Sequence, residues 1–359
     1  MREATEGSSS GQLPAAAVSM DGSVSIDIKG SSSHRSNKLL NTIMDEETSY
    51  WHSGSQKPKI QLVQPFLRRV ETNKNSFDPK GVSIGPCHHG KPELERLERL
   101  KLPMVREYVK QRILTSCMKR WSSIVELEWK LGGELTNIQE TVLVCRDFLL
   151  LENQLPFLVL RVLMEASRIA QGEEMITRFI EIITVGSDPK DRTEYKAKDD
   201  DEPVHLLELV RRLFIDPRAF VIGTDISSCW YSRRSAKDLK TVGIHCKPSM
   251  THRFSDILFK STRTSGILKL PRLVIDDKTK SMLVNLAAYE ACPDNPNYKW
   301  VTSYICFMES IITQEEDVKE LRSKGILVHY LGSDKQVADL FKDITTELAP
   351  NPHAYLERS

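Results

Sequence analysis

The strongest constraint on how this chain can fold is an apolar stretch that three polar residues and a proline interrupt. It runs over residues 147–163 and reads DFLLLENQLPFLVLRVL. Apolar residues fall on nearly every side of a helix through it, which is typical of a segment enclosed by protein. Because Pro156 removes a backbone donor and clashes with the preceding turn, we expect one helix to end near Asn153 and another to begin near Pro156.

The polar residues at this break, Glu152, Asn153 and Gln154, are expected to hydrogen-bond backbone groups that the interrupted helices leave unpaired. With Pro156 they form a predicted structural motif. A membrane span is the first alternative, but it needs about 20 apolar residues without charges, and three charged residues stand inside the window. A catalytic role for Glu152 is the second alternative, because a carboxylate enclosed by apolar protein is a candidate acid or base.

A second distinctive stretch, VSIGPCHHG at residues 82–90, is predicted to be a short extended segment that enters a shaped loop. Glycine and proline fix the turns of this loop, and the neighbouring imidazoles are expected to hydrogen-bond nearby backbone. The residues assigned to this second structural motif are Gly85, Pro86, His88, His89 and Gly90.

Cys87, His88 and His89 also suggest chemistry. A thiolate beside an imidazole makes a nucleophile pair, and adjacent histidines can both reach a metal ion. The sequence offers no identifiable acidic orienter and no further metal ligand. We therefore expect no catalytic site, no bound metal and no cofactor, and keep as the alternative a hydrolase or transferase that uses this loop with help from Glu152.

Charge and cysteine usage restrict the partners and the compartment. The chain has 50 basic and 49 acidic residues and a net charge of +1, so no global attraction to nucleic acid or to an anionic membrane is expected. Its 7 cysteines are scattered and include no CxxC pair, which disfavours a disulfide framework or a zinc site. The first residues lack the apolar run of a signal peptide. A cytoplasmic protein, or one peripheral to the plasma membrane and not secreted, is the resulting expectation.

The predicted fold class is mainly α, a helical domain with a small β-hairpin in the C-terminal half. A Ser/Gly-rich tail at 1–56 is expected to be largely disordered, residues 57–348 to form the domain with a charged loop at 186–203 inside it, and residues 349–359 to form a flexible tail. The hairpin is placed at 254–260 and 266–270, and residues 326–328 are interpreted as a buried connector. The predicted helices are 91–111, 113–131, 204–215, 278–291, 300–312, 314–323 and 334–348.

Several stretches together resemble a known family. They read VSIGPCHHGKPEL at 82–94, DFLLLENQLPF at 147–157, RSAKDLKTVGI at 234–244, ILKLPRLVIDDKTKSMLVNLAAYEAC at 267–292 and GILVHYLGSDKQVADLF at 325–341. In order and spacing they are similar to the plant family known as domain of unknown function 247. The resemblance implies a plant protein with a mainly helical fold and no accepted active site.

The same resemblance implies a C-terminal membrane anchor in most members, and a recognition role, because some grass members are implicated in self-incompatibility. This chain departs from the pattern in two places. Its 101–147 region is shorter than in typical members, and no transmembrane segment or anchor is evident, so we expect a truncated member. The predicted function is a non-enzymatic interaction or recognition protein with an unidentified protein partner and no nucleic acid.

Overall fold

A computed structural model describes residues 60–96, 99, 138–157, 159–160, 176, 203–215, 234–293 and 299–350. The predicted tail at 1–56 and the predicted helix at 113–131 lie outside the described residues. So do the charged loop at 186–203 and the tail at 349–359, apart from a few residues at their edges, and most of the predicted helix at 91–111.

The described part of the chain is about half helical, with small sheets in its C-terminal half. The α-helices are α1 (Pro65–Arg68), α2 (Ile138–Asp147), α3 (Leu206–Phe214), α4 (Ala236–Thr241), α5 (Thr279–Glu290), α6 (Trp300–Ile311), α7 (Glu315–Ser323) and α8 (Asp334–Thr345). The strands are β1 (Ile244–Pro248), β2 (Leu258–Ser261), β3 (Gly266–Leu270), β4 (Leu273–Ile275) and β5 (Leu327–His329). Short 3-10 turns cover Lys74–Ser76, Pro86–His88, Pro92–Leu94 and Leu151–Asn153.

Helix α5 is the centre of the core. All of its residues except Lys280 are buried, because most residues of its sequence, TKSMLVNLAAYE, are apolar or small. It contacts α3, α6, α8 and the turns at 74–76 and 151–153. The elements around α5 and the apolar part of the helix break therefore share one continuous core.

The predicted hairpin is present as β2 and β3, which pair antiparallel. Strand β1 adds to β3 in parallel and completes a mixed sheet in the order β1-β3-β2. The interpretation of residues 326–328 as a connector is wrong, because β5 pairs in parallel with β4. Each of these strands has only three residues, and their partner lies far along the chain, so local sequence pattern does not reveal them.

Helix boundaries follow the turn and cap residues in the sequence. The side chains of Ser235 and Ser333 accept hydrogen bonds from the third residue of α4 and of α8, as N-caps do. Gln314 and Asp317 form a capping box at the start of α7. Gly325 follows α7 with a φ of 67°, a left-handed conformation that glycine adopts without strain.

The start of α5 is arranged differently from the starts of α4 and α8. Lys278 occupies the N-cap position without a side-chain cap. The Asp276 carboxylate instead accepts from the Lys278 N–H and from the Thr279 hydroxyl. Asp276 thus fixes the turn that leads into α5 rather than capping the helix.

Candidate functional site

The helix break starts earlier than the sequence predicts. Helix α2 ends at Asp147 and not near Asn153. The chain then runs through three fully buried leucines, Leu149, Leu150 and Leu151, and a 3-10 turn at Leu151–Asn153. Residues 147, 149–154 and 157 of the apolar run are buried as predicted, whereas 148, 155, 156, 159 and 160 are half-buried, and 158 and 161–163 lie outside the described residues.

The Asp147 carboxylate explains why α2 ends there. It is fully buried and accepts the backbone N–H groups of three consecutive residues at 2.6–3.2 Å, namely Lys80, Gly81 and Val82. Arg146 adds a hydrogen bond of 2.8 Å from Nη1. Burial raises the pKa of Asp147, and these donors oppose that effect. The segment they come from, residues 75–85, is called the strap below.

Asn153 holds the strap from the other side of the break. Its Oδ1 accepts from the N–H groups of Ile84 at 2.6 Å and Gly85 at 3.3 Å. Its Nδ2 donates to the carbonyl oxygens of Val82 at 2.9 Å and Asp147 at 3.0 Å. Every hydrogen-bonding position of this fully buried amide is therefore used on backbone.

Gln154 also hydrogen-bonds backbone groups, both within the break and in the first turn of α3. Its Nε2 donates to the carbonyl oxygens of Phe148 and Leu150, each at 2.8 Å. Its Oε1 accepts from the N–H of Leu207 in the first turn of α3 at 3.1 Å. The amide thus replaces backbone partners that an unbroken helix would have supplied.

Arg146 and Asn285 tie the strap to the central helix. Arg146 donates to the carbonyl oxygens of Asn75 and Asp78 and to the Ser281 hydroxyl on α5. Asn285 Oδ1 accepts from the Leu151 N–H at 2.8 Å, and its Nδ2 donates to the Ser76 carbonyl at 2.8 Å. The helix break, the strap and α5 are consequently joined by buried polar side chains.

The segment around α1 supplies the hydrogen-bond donors that bind the Glu152 carboxylate. Its Oε1 accepts from the Val63 N–H at 2.8 Å, and its Oε2 forms an ion pair with the Arg68 guanidinium. The carboxylate is 7% exposed. Both of its oxygens therefore already accept a hydrogen bond from a group of the protein.

Gly85 is a point of close approach between the strap and the break. A Cβ atom there would lie 2.4 Å from the backbone oxygen of Gln154, far inside van der Waals contact. Gly85 is followed by the turn Pro86–His88 and by Gly90, whose φ of 78° requires the left-handed region. The motif of Gly85, Pro86 and Gly90 thus lies directly against the motif at the break.

Cys87 and His88 differ in exposure although they are neighbours in this loop. Cys87 is exposed, and partial burial together with the charge of Glu152 raises the pKa of its thiol. His88 is buried, and its Nε2 lies 3.8 Å from Glu152 Oε2. Burial and the nearby Lys91 lower the pKa of His88. A neutral imidazole beside a protonated thiol is not an ion pair of the kind that activates cysteine nucleophiles.

The expected backbone hydrogen bonds of the imidazoles are wrong for His88. Neither of its ring nitrogens has a hydrogen-bond partner among the described residues. His89 is exposed.

Pro156 and His205 meet where the break ends. They form an isolated antiparallel bridge, and the Phe157 N–H donates to the Val204 carbonyl at 2.8 Å. His205 is fully buried, and its Nδ1 caps α3 by accepting from the Glu208 N–H at 3.1 Å. Burial lowers the pKa of His205 to about 4. The proline thus marks the contact between the break and α3.

No three His, Cys, Asp or Glu side chains of the described ranges are grouped so that they could hold a metal ion. Within the same ranges, no helix has both the length and the apolar character that crossing a bilayer requires.

Sequence reasoning missed the residues that contribute most of the network beyond the break, which are Arg68, Arg146, Asp147 and Asn285. One local signal was present. An aspartate at the C-terminal end of a helix opposes the helix dipole, so Asp147 had to have another partner. The identity of that partner, a segment about 65 residues earlier in the chain, is not encoded locally.

Comparison with known proteins identifies a family and two relatives. The model of the family DUF247, described as plant protein of unknown function, matches residues 60–131 and 125–358. UPF0481 protein At3g47200 of Arabidopsis thaliana is 24% identical over 379 aligned positions, which cover 84% of this chain and 77% of that protein. Putative UPF0481 protein At3g02645 of the same plant is 32% identical over 125 positions, covering 35% of this chain and 23% of that protein. No solved structure matches the chain.

Proposed function

Because the chain belongs to the DUF247 family of plant proteins of unknown function, we propose that it is a non-enzymatic protein that acts by recognising another protein. The observation that carries this proposal is how the polar side chains of the candidate site are used. Asp147, Asn153 and Gln154 all bind backbone atoms of the protein itself. A buried polar network of this kind fixes a unique conformation, which is what a recognition surface requires.

The neighbouring loop supports the same proposal. An activated cysteine nucleophile needs a lowered thiol pKa or an adjacent base that is free to accept its proton. Here the pKa of Cys87 is raised, and both oxygens of Glu152 are already bound. The loop therefore lacks a prepared reacting group in the conformation described.

Exposed apolar side chains supply contact area for a partner. Leu62 lies just before α1 and Phe66 lies within it, each with more than two fifths of its surface exposed, and Tyr330 is more exposed still. Aromatic side chains of this kind are common anchors in protein interfaces. Recognition in the setting of self-incompatibility, which the family resemblance implies for some grass members, is one context for such a role.

The direct test is affinity capture from plant tissue with the full chain as bait, followed by reconstitution with the purified captured protein. We expect a saturable complex of fixed stoichiometry in isothermal titration. Matched beads without bait serve as the control. If the folded chain enriches no protein over this control in several tissues, the recognition role is wrong.

The second candidate function is a hydrolase or transferase that uses Cys87 with His88 or His89. One observation favours it, which is that Cys87 is exposed and lies next in sequence to a buried histidine 3.8 Å from a carboxylate. Labelling of Cys87 by iodoacetamide at pH 7 separates the two functions. Labelling far faster than that of a free thiol, and lost in His88→Ala, would support the enzyme, whereas ordinary labelling in both proteins supports recognition.

A further inference from the structure

The mixed sheet has two chemically different faces. Side chains alternate along each strand, and residues paired between strands point to the same face. Cys246, Leu268 and Leu270 face inward and belong to the core. The opposite face carries His245, Lys247, Lys260 and Lys269, of which the first three are exposed and the last is half-buried. We call this opposite face, with Leu258 and Ile267, the lysine face.

The positive charges of the lysine face lie next to one another. Lys247 on β1 is directly paired with Lys269 on β3, and like charges in directly opposed positions destabilise a sheet. Ile267 lies between His245 and Lys260 in the neighbouring row. In the part of the chain that the structure describes, no carboxylate lies within 4.0 Å of any of these three lysine amines.

Protection against aggregation explains only part of this pattern. Lysine on an edge strand hinders unwanted pairing with other chains, and Lys247 and Lys260 are on the edge strands β1 and β2. Lys269, however, lies on the central strand β3. A lysine there gives no edge protection and is paired with another lysine, so edge protection does not account for the whole pattern.

Strand β2 also offers a pairing edge. In the described ranges it pairs on one side only, with β3. Along an edge strand, alternate residues direct their N–H and C=O groups away from the sheet, where an extended peptide can add as a further strand. Phe259, Lys260 and Ser261 on β2 are exposed.

We propose that the open edge of β2 and the adjoining lysine face bind an acidic segment of a partner protein in extended conformation. This inference rests on the recognition role proposed above and names the chemistry of the partner. Backbone hydrogen bonds along β2 would give pairing, and carboxylates over the lysines would give selectivity. The chain as a whole is close to neutral, with a net charge of +1, so the attraction is local to this face.

The register specifies the segment further. A residue of the added strand opposite Lys260 lies next to that ammonium group on the lysine face, where an acidic side chain is favoured. Two residues along, the position opposite Leu258 lies in the row that Lys269 and Lys247 share with Leu258, where a second acidic side chain is favoured. The partner segment therefore has acidic residues at alternate positions.

The test uses a fluorescein-labelled decapeptide of alternating glutamate and valine, with binding to the full chain followed by fluorescence anisotropy. We expect the triple variant K247S/K260S/K269S to bind about tenfold more weakly, which corresponds to about 1.4 kcal/mol. The matched control K237S/K335S/K342S changes three exposed helical lysines and the same net charge, and is expected to bind like the unaltered protein. Thermal melting shows that both variants stay folded.

A second peptide of alternating glutamate and proline carries the same charge but cannot form the alternating backbone pairing. We expect its binding to be at least about tenfold weaker. Equal binding by both triple variants, or equal binding of the two peptides, would overturn the proposal. So would lysine-dependent binding to phosphatidylserine vesicles by a protein that ignores the glutamate–valine peptide, because the face would then recognise a membrane.

These results are separable from the recognition role itself. If the protein captured from plant tissue still binds K247S/K260S/K269S with unchanged affinity, the chain is a recognition protein but this face is not its site.

Discussion

The strap with the helix break and the C-terminal helices are both buried, but different forces hold them. Around α5, α6 and α8 the buried positions are mostly apolar, and α8 begins at the local cap Ser333. Around Asp147 and Asn153 the contacts are buried hydrogen bonds from side chains to a distant backbone segment. Apolar packing tolerates shape changes that keep volume, whereas a buried polar network loses whole hydrogen bonds when one atom changes. For each atom removed, a substitution at the break should therefore cost more free energy of unfolding than a substitution in the apolar core.

The largest expected effect comes from placing a charge in the buried apolar part of the break. Leu151 is 0% exposed and is the apolar centre of the break, so Leu151→Asp places an unpaired charge in the core. The cost is several kcal/mol, on the order of the whole free energy of unfolding, and we expect no soluble folded protein. Val328→Asp, at a position 45% exposed, is the control and should give a normal thermal melt. Equal melting of the two variants would show that the break is not enclosed.

The next prediction compares the regions directly. Asn153→Ala removes few atoms but leaves two N–H and two C=O groups without their partner, and we expect a loss of about 3 kcal/mol. Phe341→Ala, in the apolar core of α8, removes a whole ring and should cost about 3–5 kcal/mol. Urea denaturation measures both values.

Amide hydrogen exchange locates the two losses. In Asn153→Ala the amides of residues 80–85 should exchange faster while those of α8 stay protected, and in Phe341→Ala the reverse is expected. A cost below about 1 kcal/mol for Asn153→Ala would remove the contrast between the regions.

Gly85→Ala tests the close approach between strap and break. The new methyl group would meet the Gln154 carbonyl oxygen at 2.4 Å, and we expect a loss of about 2 kcal/mol from the backbone shift that follows. Gly81→Ala is the matched control in the same strap, because its nearest atom would lie at an ordinary 3.4 Å. Equal melting temperatures for the two variants would contradict the described contact.

The smallest effect concerns pH. The pKa of His205 is lowered to about 4 in the folded protein by burial, below the usual value near 6.5 for an exposed histidine. The unfolded chain therefore binds an additional proton between these values, so stability is complete above about pH 6.5 and is lost as pH falls toward 4. The expected loss at pH 5 is about 2 kcal/mol.

The variant His205→Asn isolates this contribution. Asparagine also caps helices, so α3 should persist while the loss between pH 7.5 and pH 5 becomes about 2 kcal/mol smaller. The same substitution at the exposed His245 should leave the pH dependence unchanged. Urea denaturation at the two pH values measures the difference, and an unchanged slope in His205→Asn would assign the effect to other groups.

The two regions also differ in how far sequence reasoning could predict them. In the C-terminal half, Ser333 and Gly325 mark helix ends through interactions with their immediate neighbours, so the sequence predicts the helices at 314–323 and 334–348 to within a few residues. At the break the apolar run was identified, but α2 ended early because Asp147 binds the strap. Contacts between distant segments leave no periodic pattern in the sequence. The pairing of β4 with β5 could not be predicted for the same reason.

For the candidate site, the sequence identified the polar triplet at the break and the turn of Gly85, Pro86 and Gly90, yet not that the two lie against each other. Their juxtaposition depends on Asn153 binding the N–H groups of Ile84 and Gly85. On the turn that follows Gly85, Cys87 is exposed and His88 is buried. Cys87 and His88 are neighbours in the chain but differ in burial, and composition alone does not determine that difference.

The bond from Asn285 to the Ser76 carbonyl has a consequence for biosynthesis. The two residues are 209 positions apart, and a ribosome adding about 5–20 residues each second needs about 10–40 seconds to cover that distance. During this interval the strap has emerged while its anchor on α5 does not yet exist. The nascent chain must therefore be kept from aggregating until its C-terminal half is made, so chaperone supply and translation speed should influence how much of this protein a cell obtains.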